Sequence, residues 1–458
     1  MLAIALTPLC ALVLGSAPAH AGASILVEAD TGKVLRAENA SYPWYPASVT
    51  KLMTAYLTLR AVRQHRITMD TLFTVSHAAA AQAPTKMGLP PGTQVTVDNA
   101  LKMLMVHSAN DMAVLLAEGV DGSIENFSDD MTRTAHALGM TESNFVNPNG
   151  LPADGQITSA RDLAILARAL LHDFPEYDSY WHIPAIKFGR RVMRNTNSLI
   201  GRYPGIDGMK TGFICASGYN VVATATRNGR RLIAVVLGAP SSPARAVKAA
   251  ELLEAGFTQD RLSWLTPSLG TVESLAPIEA APPNLHEEIC GPHRKKRAVE
   301  EEEAVGSEEN GAAEAGTPFS VLLSSLRAPT PKGAALLSDQ PAVAPIVVYT
   351  GPTRTQGQIA ALSAIEEAAP HHKKKGAKMA AKPAGEETTD TNSTRGKSTD
   401  RKATDGNKSR VKWTPTSSST LATAPASELG AKPAAETPKK KPNKAAKADP
   451  AAKPAPAQ

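Results

Sequence analysis

The chain changes character at Phe257. Before it, apolar residues recur at helix and strand spacing. Beyond it Pro, Ala, Glu, Ser and Lys dominate and large apolar residues thin out. A segment that cannot bury enough apolar surface cannot offset the entropy lost on ordering, so one packed unit is expected, over residues 22–257. Residues 258–370 read as an acidic low-complexity region and 371–458 as a basic Lys/Ala/Pro-rich disordered tail. An aromatic content of 4% in 458 residues agrees with little packed chain. Charge divides the same way. Residues 1–257 carry 22 basic and 20 acidic side chains, 258–370 carry 8 and 15, and 371–458 carry 19 and 8. The basic pI therefore belongs to the tail. Such a tail attracts polyanions in general, and nothing singles out nucleic acid.

The N-terminus has an apolar stretch from Leu2 to Gly15, then small residues ending in Ala19-His20-Ala21. That pattern is a signal peptide over 1–21 with cleavage before Gly22, although the usual basic start is missing. Cys10 lies inside the stretch, but Leu9 before it is not the small residue a lipid anchor requires. Export to the periplasm or cell envelope follows, with no transmembrane helix after cleavage. No apolar run reaches the roughly 18 residues such a helix needs.

Within 22–257, Ala23 to Val27, a turn at Ala29–Lys33 and Val34 to Arg36 form a hairpin pattern. Ser48 opens a helical segment, with Leu52, Ala55, Tyr56 and Leu59 on one face. Leu101, Leu104 and Met105, then Met112, Leu115 and Leu116, mark two helices, and Asp162–Leu171 another. Two β-branched runs, Tyr219–Arg227 and Leu232–Gly238, flank the hairpin turn Asn228-Gly229. Residues 243–257 close the unit as an amphipathic helix. Strands at both ends with helices between predict an α/β fold: a mainly antiparallel sheet completed by both termini, flanked by helices, with a helical insertion.

Three short motifs carry chemistry. The first is Ser48-Val49-Thr50-Lys51. At the start of a helix, residues i and i+3 share a face, so the Lys51 amine can reach the Ser48 hydroxyl. A hydroxyl is a poor nucleophile until a neighbouring base takes its proton. A lysine serves as that base only when its pKa is depressed by desolvation or a nearby cation. The second is Ser108-Ala109-Asn110, which can aim a hydroxyl and an amide at one ligand. The third is Lys210-Thr211-Gly212, where Lys and Thr can hold a carboxylate and Gly lets another backbone lie close. Each alone is an ordinary helix start or turn. Their order and spacing, 60 and then 102 residues, form a specific combination.

With these motifs the chain resembles the serine-type D-alanyl-D-alanine carboxypeptidases, the low-molecular-mass penicillin-binding proteins of the S11 peptidase type. Pro46–Lys51, Asn147–Leu151, Gly155-Gln156, Ser159–Ala164, Asn195–Asn197 and Gly205–Gly212 carry the likeness over about residues 22–257. The resemblance implies a β-lactamase/transpeptidase-like fold and removal of the terminal D-Ala from peptidoglycan stem peptides, with β-lactam antibiotics as covalent inhibitors. It implies Ser48 as nucleophile, Lys51 as general base and Ser108 as proton relay. Asn110 would bind substrate amide, and Lys210 and Thr211 of the Lys210–Gly212 triplet the terminal carboxylate. Backbone N–H groups of Ser48 and Phe213 would form the oxyanion hole, and Arg245 would be a second carboxylate-orienting cation. With Lys51 and Lys210 in one cleft, one should titrate low, and Lys51 is expected to be neutral.

A D,D-endopeptidase and a serine β-lactamase remain as alternatives, although no E-x-x-x-N arrangement lies between the second and third motifs. A non-enzymatic envelope-binding protein on an inactive catalytic fold is another. The second β-rich domain and C-terminal amphipathic helix of many members are not visible after Phe257. The tail lysines suit anionic envelope polymers, with a solvated tether as the plainer reading. Cys215 is expected as a small buried residue and Cys290 as an unrelated tail thiol, with pairing as the alternative in an oxidising compartment. No cluster has metal-ligand spacing and no phosphate-binding loop occurs, so neither metal nor cofactor is expected.

Overall fold

The computed structural model describes residues 22–258, 269–292, 333–338 and 343–368. The proposed leader and the tail beyond 371 lie outside the described residues. The chain opens with the hairpin β1 (Ala23–Glu28) and β2 (Val34–Glu38). A 3₁₀ turn, Ala47–Thr50, leads into α1 (Lys51–Arg63). A mostly helical region follows: β3 (Leu72–Thr74), α2 (His77–Ala81), β4 (Gln94–Thr96), α3 (Val97–Val106), α4 (Asn110–Asp121) and α5 (Ile124–Ala137). Then come α6 (Ala160–Asp173), the hairpin β5 (Ala185–Phe188) and β6 (Arg191–Arg194), and β7 (Ile206–Ile214). The hairpin β8 (Gly218–Arg227) and β9 (Arg230–Ala239) and helix α7 (Ser242–Thr258) follow.

The main sheet is antiparallel throughout, in the order β2-β1-β9-β8-β7. The first strand and a late strand pair at its centre, as the sequence leads one to expect. Alternation assigns the two faces. Ile25, Val27, Val222, Ile233 and Val235 pack with α1, α3, α4 and α6. Leu26, Val221, Ala223, Ala234 and Val236 pack with Ala246, Ala249, Ala250 and Leu253 of α7. Alanines on both sides let α7 approach closely. A Cβ on Gly256 would stand 2.6 Å from Leu232. Among the described residues strand β7 is the edge of the sheet, where another backbone can pair.

Chain beyond the expected boundary packs onto this unit. Thr271 bridges Lys33, Val272 is fully buried, and Glu273 pairs with Arg168. Helix α8 (His286–Cys290) buries Ile289. Leu336 joins the α7 side of the core. Strand β10 (Ile346–Val347) pairs parallel with β5, and α9 (Gln356–Ala368) follows. These segments differ from the low-complexity reading because single apolar residues and backbone pairing, not periodic stretches, hold them.

The reading of Cys215 and Cys290 as unrelated thiols is corrected: they form a disulfide across 75 residues of sequence. The bond ties the end of β7 to α8. A cross-link restricts the unfolded chain, by about 4 kcal/mol for a loop of that size in the chain-entropy account. Cys290→Ser is expected to lower the thermal midpoint by roughly 10 °C. Calorimetry checks this; a midpoint within about 2 °C of wild type would show that the bond carries no stability.

Candidate active site

The nucleophile segment is held between two backbones. Ala47 sits in the left-handed region at φ 50°, which turns Ser48 out of the chain path. Gly150, at φ 80°, lies beneath it; a Cβ there would fall 1.8 Å from the Ala47 carbonyl oxygen. On the other side a Cβ on Gly212 would stand 2.9 Å from the Ser48 nitrogen. Only glycine allows either approach. Ser48 thus sits in the 3₁₀ turn and Lys51 at the first position of α1, one turn on.

Lys51 is completely buried. Its Nζ lies 3.0 Å from Ser48 Oγ, 2.7 Å from Asn110 Oδ1 and 2.6 Å from the Asn149 carbonyl oxygen. The Asn147–Leu151 loop that presents this carbonyl is clamped from several sides. Thr54 donates to the Pro148 carbonyl, and Gln156 donates to Thr50 while accepting from Val146 and Asn147. A neutral amine has two N–H groups and one lone pair. The two carbonyl oxygens take the N–H groups, which leaves the lone pair for the Ser48 hydroxyl.

The second motif spans the α3–α4 junction. Ser108 adopts φ 60°, an uncommon conformation for a non-glycine residue, and is buried. Behind it, the buried Asp111 carboxylate accepts from the backbone N–H groups of Met87 and Gly88 and fixes the junction. Asn110 is engaged at both ends, Oδ1 by Lys51 and Nδ2 on the Ala83 carbonyl at 2.9 Å. One N–H remains for a ligand.

The third motif lies on β7. Lys210 is buried and donates to Ser108 Oγ at 2.9 Å and to the Thr211 carbonyl at 2.9 Å. Thr211 Oγ1 donates to Thr196 Oγ1, also at 2.9 Å. The fold thus gathers Ser48, Lys51, Ser108, Asn110, Lys210, Thr211 and Gly212 in one cleft. Phe213, 41% exposed, stacks its ring on Tyr219. The Arg245 guanidinium is buried behind β8, bonded to the carbonyl oxygens of Asn220 and Thr196 and to Ser242 Oγ.

Electrostatics follow from burial of cations. Burial first, and then the Lys210 charge, hold Lys51 well below the ordinary lysine range; Asp111 opposes the shift. Burial and then Arg245 bring Lys210 down to about 7. Both amines therefore titrate low, where the sequence singled out Lys51. Sequence reasoning had no role for the Asn149 carbonyl, for Thr196 or for Asp111. The first two lie inside quoted stretches, but a backbone acceptor has no side-chain signature.

Comparison with known proteins identifies the family. A family model described as peptidase S11, D-alanyl-D-alanine carboxypeptidase, matches residues 14–241. D-alanyl-D-alanine carboxypeptidase DacD of Escherichia coli is 36% identical over 262 residues, 55% of this chain and 68% of the relative. The chain belongs to the D-alanyl-D-alanine carboxypeptidase family. Another member, DacF of Bacillus subtilis, is 37% identical over 52% of this chain and 63% of its own length. The crystal structure of penicillin binding protein 6B from Escherichia coli has a TM-score of 0.50 at 36% identity, covering 54% of this chain and 80% of that one. That of DacD from Francisella tularensis gives 0.51 at 30% identity, covering 53% and 72%. The chain spans about three fifths to two thirds of the length of these curated family members.

Proposed function

We propose that this chain is a serine D-alanyl-D-alanine carboxypeptidase that releases the terminal D-Ala of peptidoglycan stem peptides through an acyl-enzyme on Ser48. The placement of a fully buried Lys51 amine 3.0 Å from Ser48 Oγ carries the reading. Lys210 and Thr211 bind the terminal carboxylate. Lys51 takes the Ser48 proton as Oγ attacks the scissile carbonyl. The N–H groups of Ser48 and Phe213 hold the oxyanion. Ser108, bonded to Lys210, passes a proton to the departing amine. The C–N bond breaks, D-Ala leaves, and water then hydrolyses the ester. A β-lactam enters the same way, but its leaving nitrogen stays tethered to the acyl group, so a long-lived adduct forms. Arg245, expected as a second carboxylate-orienting cation, is bonded to the Asn220 and Thr196 carbonyl oxygens and acts on the site through its charge, which adds to burial in lowering the Lys210 pKa. The substrate lies outside the cell membrane, which fits an exported chain. No helix among the described residues is long and apolar enough to cross a membrane.

Release of D-Ala from a peptide ending in D-Ala-D-Ala, and none from its L-Ala-L-Ala isomer, tests the assignment. The two lysines also set the pH dependence. Lys51 must be neutral to act as base, so protonating it below its depressed pKa removes activity on the acid side. Lys210 must be charged to bind a carboxylate, so deprotonating it above about 7 weakens binding on the alkaline side. kcat/KM is expected to be bell-shaped, its alkaline limb well below the ordinary lysine range. A profile that is flat from pH 6 to pH 10 would contradict this assignment.

A further inference from the structure

We propose that Thr196 is a third group that binds the terminal carboxylate of the substrate, donating its hydroxyl proton to it beside Lys210 and Thr211. The proposal rests on the peptidase reading above and deepens it at the carboxylate end.

An ammonium group has three N–H bonds. Lys210 spends two of them, on Ser108 Oγ and on the Thr211 carbonyl, each at 2.9 Å. One remains for a ligand. Thr211 is 5% exposed, and its single hydroxyl proton goes to Thr196 Oγ1 at 2.9 Å. A hydroxyl that accepts from its neighbour sends its own proton elsewhere. Thr196 is exposed, and no other group among the described residues takes that proton. The proton that this pair of hydroxyls presents outward is therefore the one on Thr196.

A carboxylate only accepts, through about four lone-pair sites on two oxygens. Lys210 supplies the charge and one N–H, which leaves sites to fill. Two adjoining hydroxyls can each face one oxygen. A hydrogen bond to an ionised acceptor is roughly twice as strong as one between neutral groups. Thr211 therefore gains by giving up Thr196 as its acceptor and turning its proton to the carboxylate, while Thr196 adds its own.

Backbone contacts hold Thr196 there in advance. Its N–H donates to the carbonyl of Val106, two residues before Ser108, at 3.2 Å. Its carbonyl accepts from Arg245 of α7 at 3.5 Å. Asn195 before it donates to the Ile183 carbonyl at 2.9 Å. Asn197 after it, 2% exposed, donates to the Gly208 carbonyl on β7 at 3.0 Å. These bonds tie the threonine to the second motif and to the strand of the third, and none of them uses its side chain. The Thr196 hydroxyl is thus not needed to shape the loop. A donor already in place binds without the cost of ordering it.

Thr196→Val keeps the shape of the side chain and removes the hydroxyl. KM for Nα,Nε-diacetyl-L-Lys-D-Ala-D-Ala is expected to rise roughly tenfold, the lower end for a hydrogen bond to a charged group, with kcat little changed. Thr196→Ser restores a hydroxyl and should return KM close to the wild-type value. Benzylpenicillin also carries a carboxylate, so its second-order rate of acylation should fall by a similar factor in Thr196→Val and recover in Thr196→Ser. Thermal melts confirm that both variants are folded. An unchanged KM in Thr196→Val, or a fall in kcat alone, overturns the proposal. So does a Thr196→Ser variant no better than Thr196→Val, since the loss would then come from packing. If the wild type releases no D-Ala yet takes penicillin covalently, the peptidase reading fails, and the penicillin rates alone decide the role of Thr196.

Discussion

Ser48→Ala is expected to lower the rate of D-Ala release by at least about 10⁴-fold and to abolish covalent binding of penicillin. The substitution removes one hydroxyl at a half-buried position and no packed side chain. Lys51 keeps both carbonyl partners, and Lys210 and Thr211 are untouched. KM for the peptide should therefore stay within a few-fold while kcat collapses. The thermal midpoint should move little, since changes outside the packed core are usually small. This separates catalysis from binding more cleanly than any change at β7. A Ser48→Ala protein that still releases D-Ala would show that another group attacks. One that keeps every cellular role would favour the non-enzymatic reading instead.

Lys51→Arg and Lys51→Met are each expected to slow acylation by about 10³-fold, the usual range for loss of a general base. The pair asks whether basicity or charge matters. Arginine keeps a cation and hydrogen-bond donors but does not lose its proton at any working pH. Methionine keeps the stem and loses both. If the low pKa imposed on Lys51 by burial and Lys210 is the functional property, the two variants fail alike. Lys51→Arg should also be the less stable protein, because it forces a charge into a site with no exposed surface and no salt bridge. Lys51→Met instead leaves the Asn110 and Asn149 carbonyl oxygens without their donor, at roughly 1–3 kcal/mol each. An arginine variant retaining a tenth or more of wild-type acylation would mean that charge at this position suffices.

Much of this was legible in the sequence because it rests on side-chain identity and period. The Asn228-Gly229 hairpin, the two alternating runs beside it and the helical spacing after Ser48 each had a local cause, and each formed. The three motifs were visible as residues. That they meet was a matter of order and spacing, and only the fold brings Lys210 Nζ to Ser108 across 102 residues. What was not legible depends on backbone. The Asn149 carbonyl that accepts a hydrogen bond from Lys51 could have come from any residue at that point of the loop. Strand β10 is two residues long, and Val272, Ile289, Leu336 and Val348 are buried singly, so no period announced them. The disulfide failed for a related reason. Two cysteines 75 residues apart say nothing about distance until α8 is seen packed at the end of β7. Asp111 stands in the first turn of α4, but that its carboxylate also holds the Met87 and Gly88 N–H groups, more than twenty residues away, has no local signature.

The central claim is that folding leaves one hydroxyl, Ser48, activated by a neutral amine. Incubation with benzylpenicillin followed by tryptic mass mapping tests it most directly. The account predicts a single adduct, of the mass of one penicillin, on the peptide covering residues 37–51. An adduct on Ser108 instead, or rapid turnover of penicillin with no lasting adduct, would contradict it.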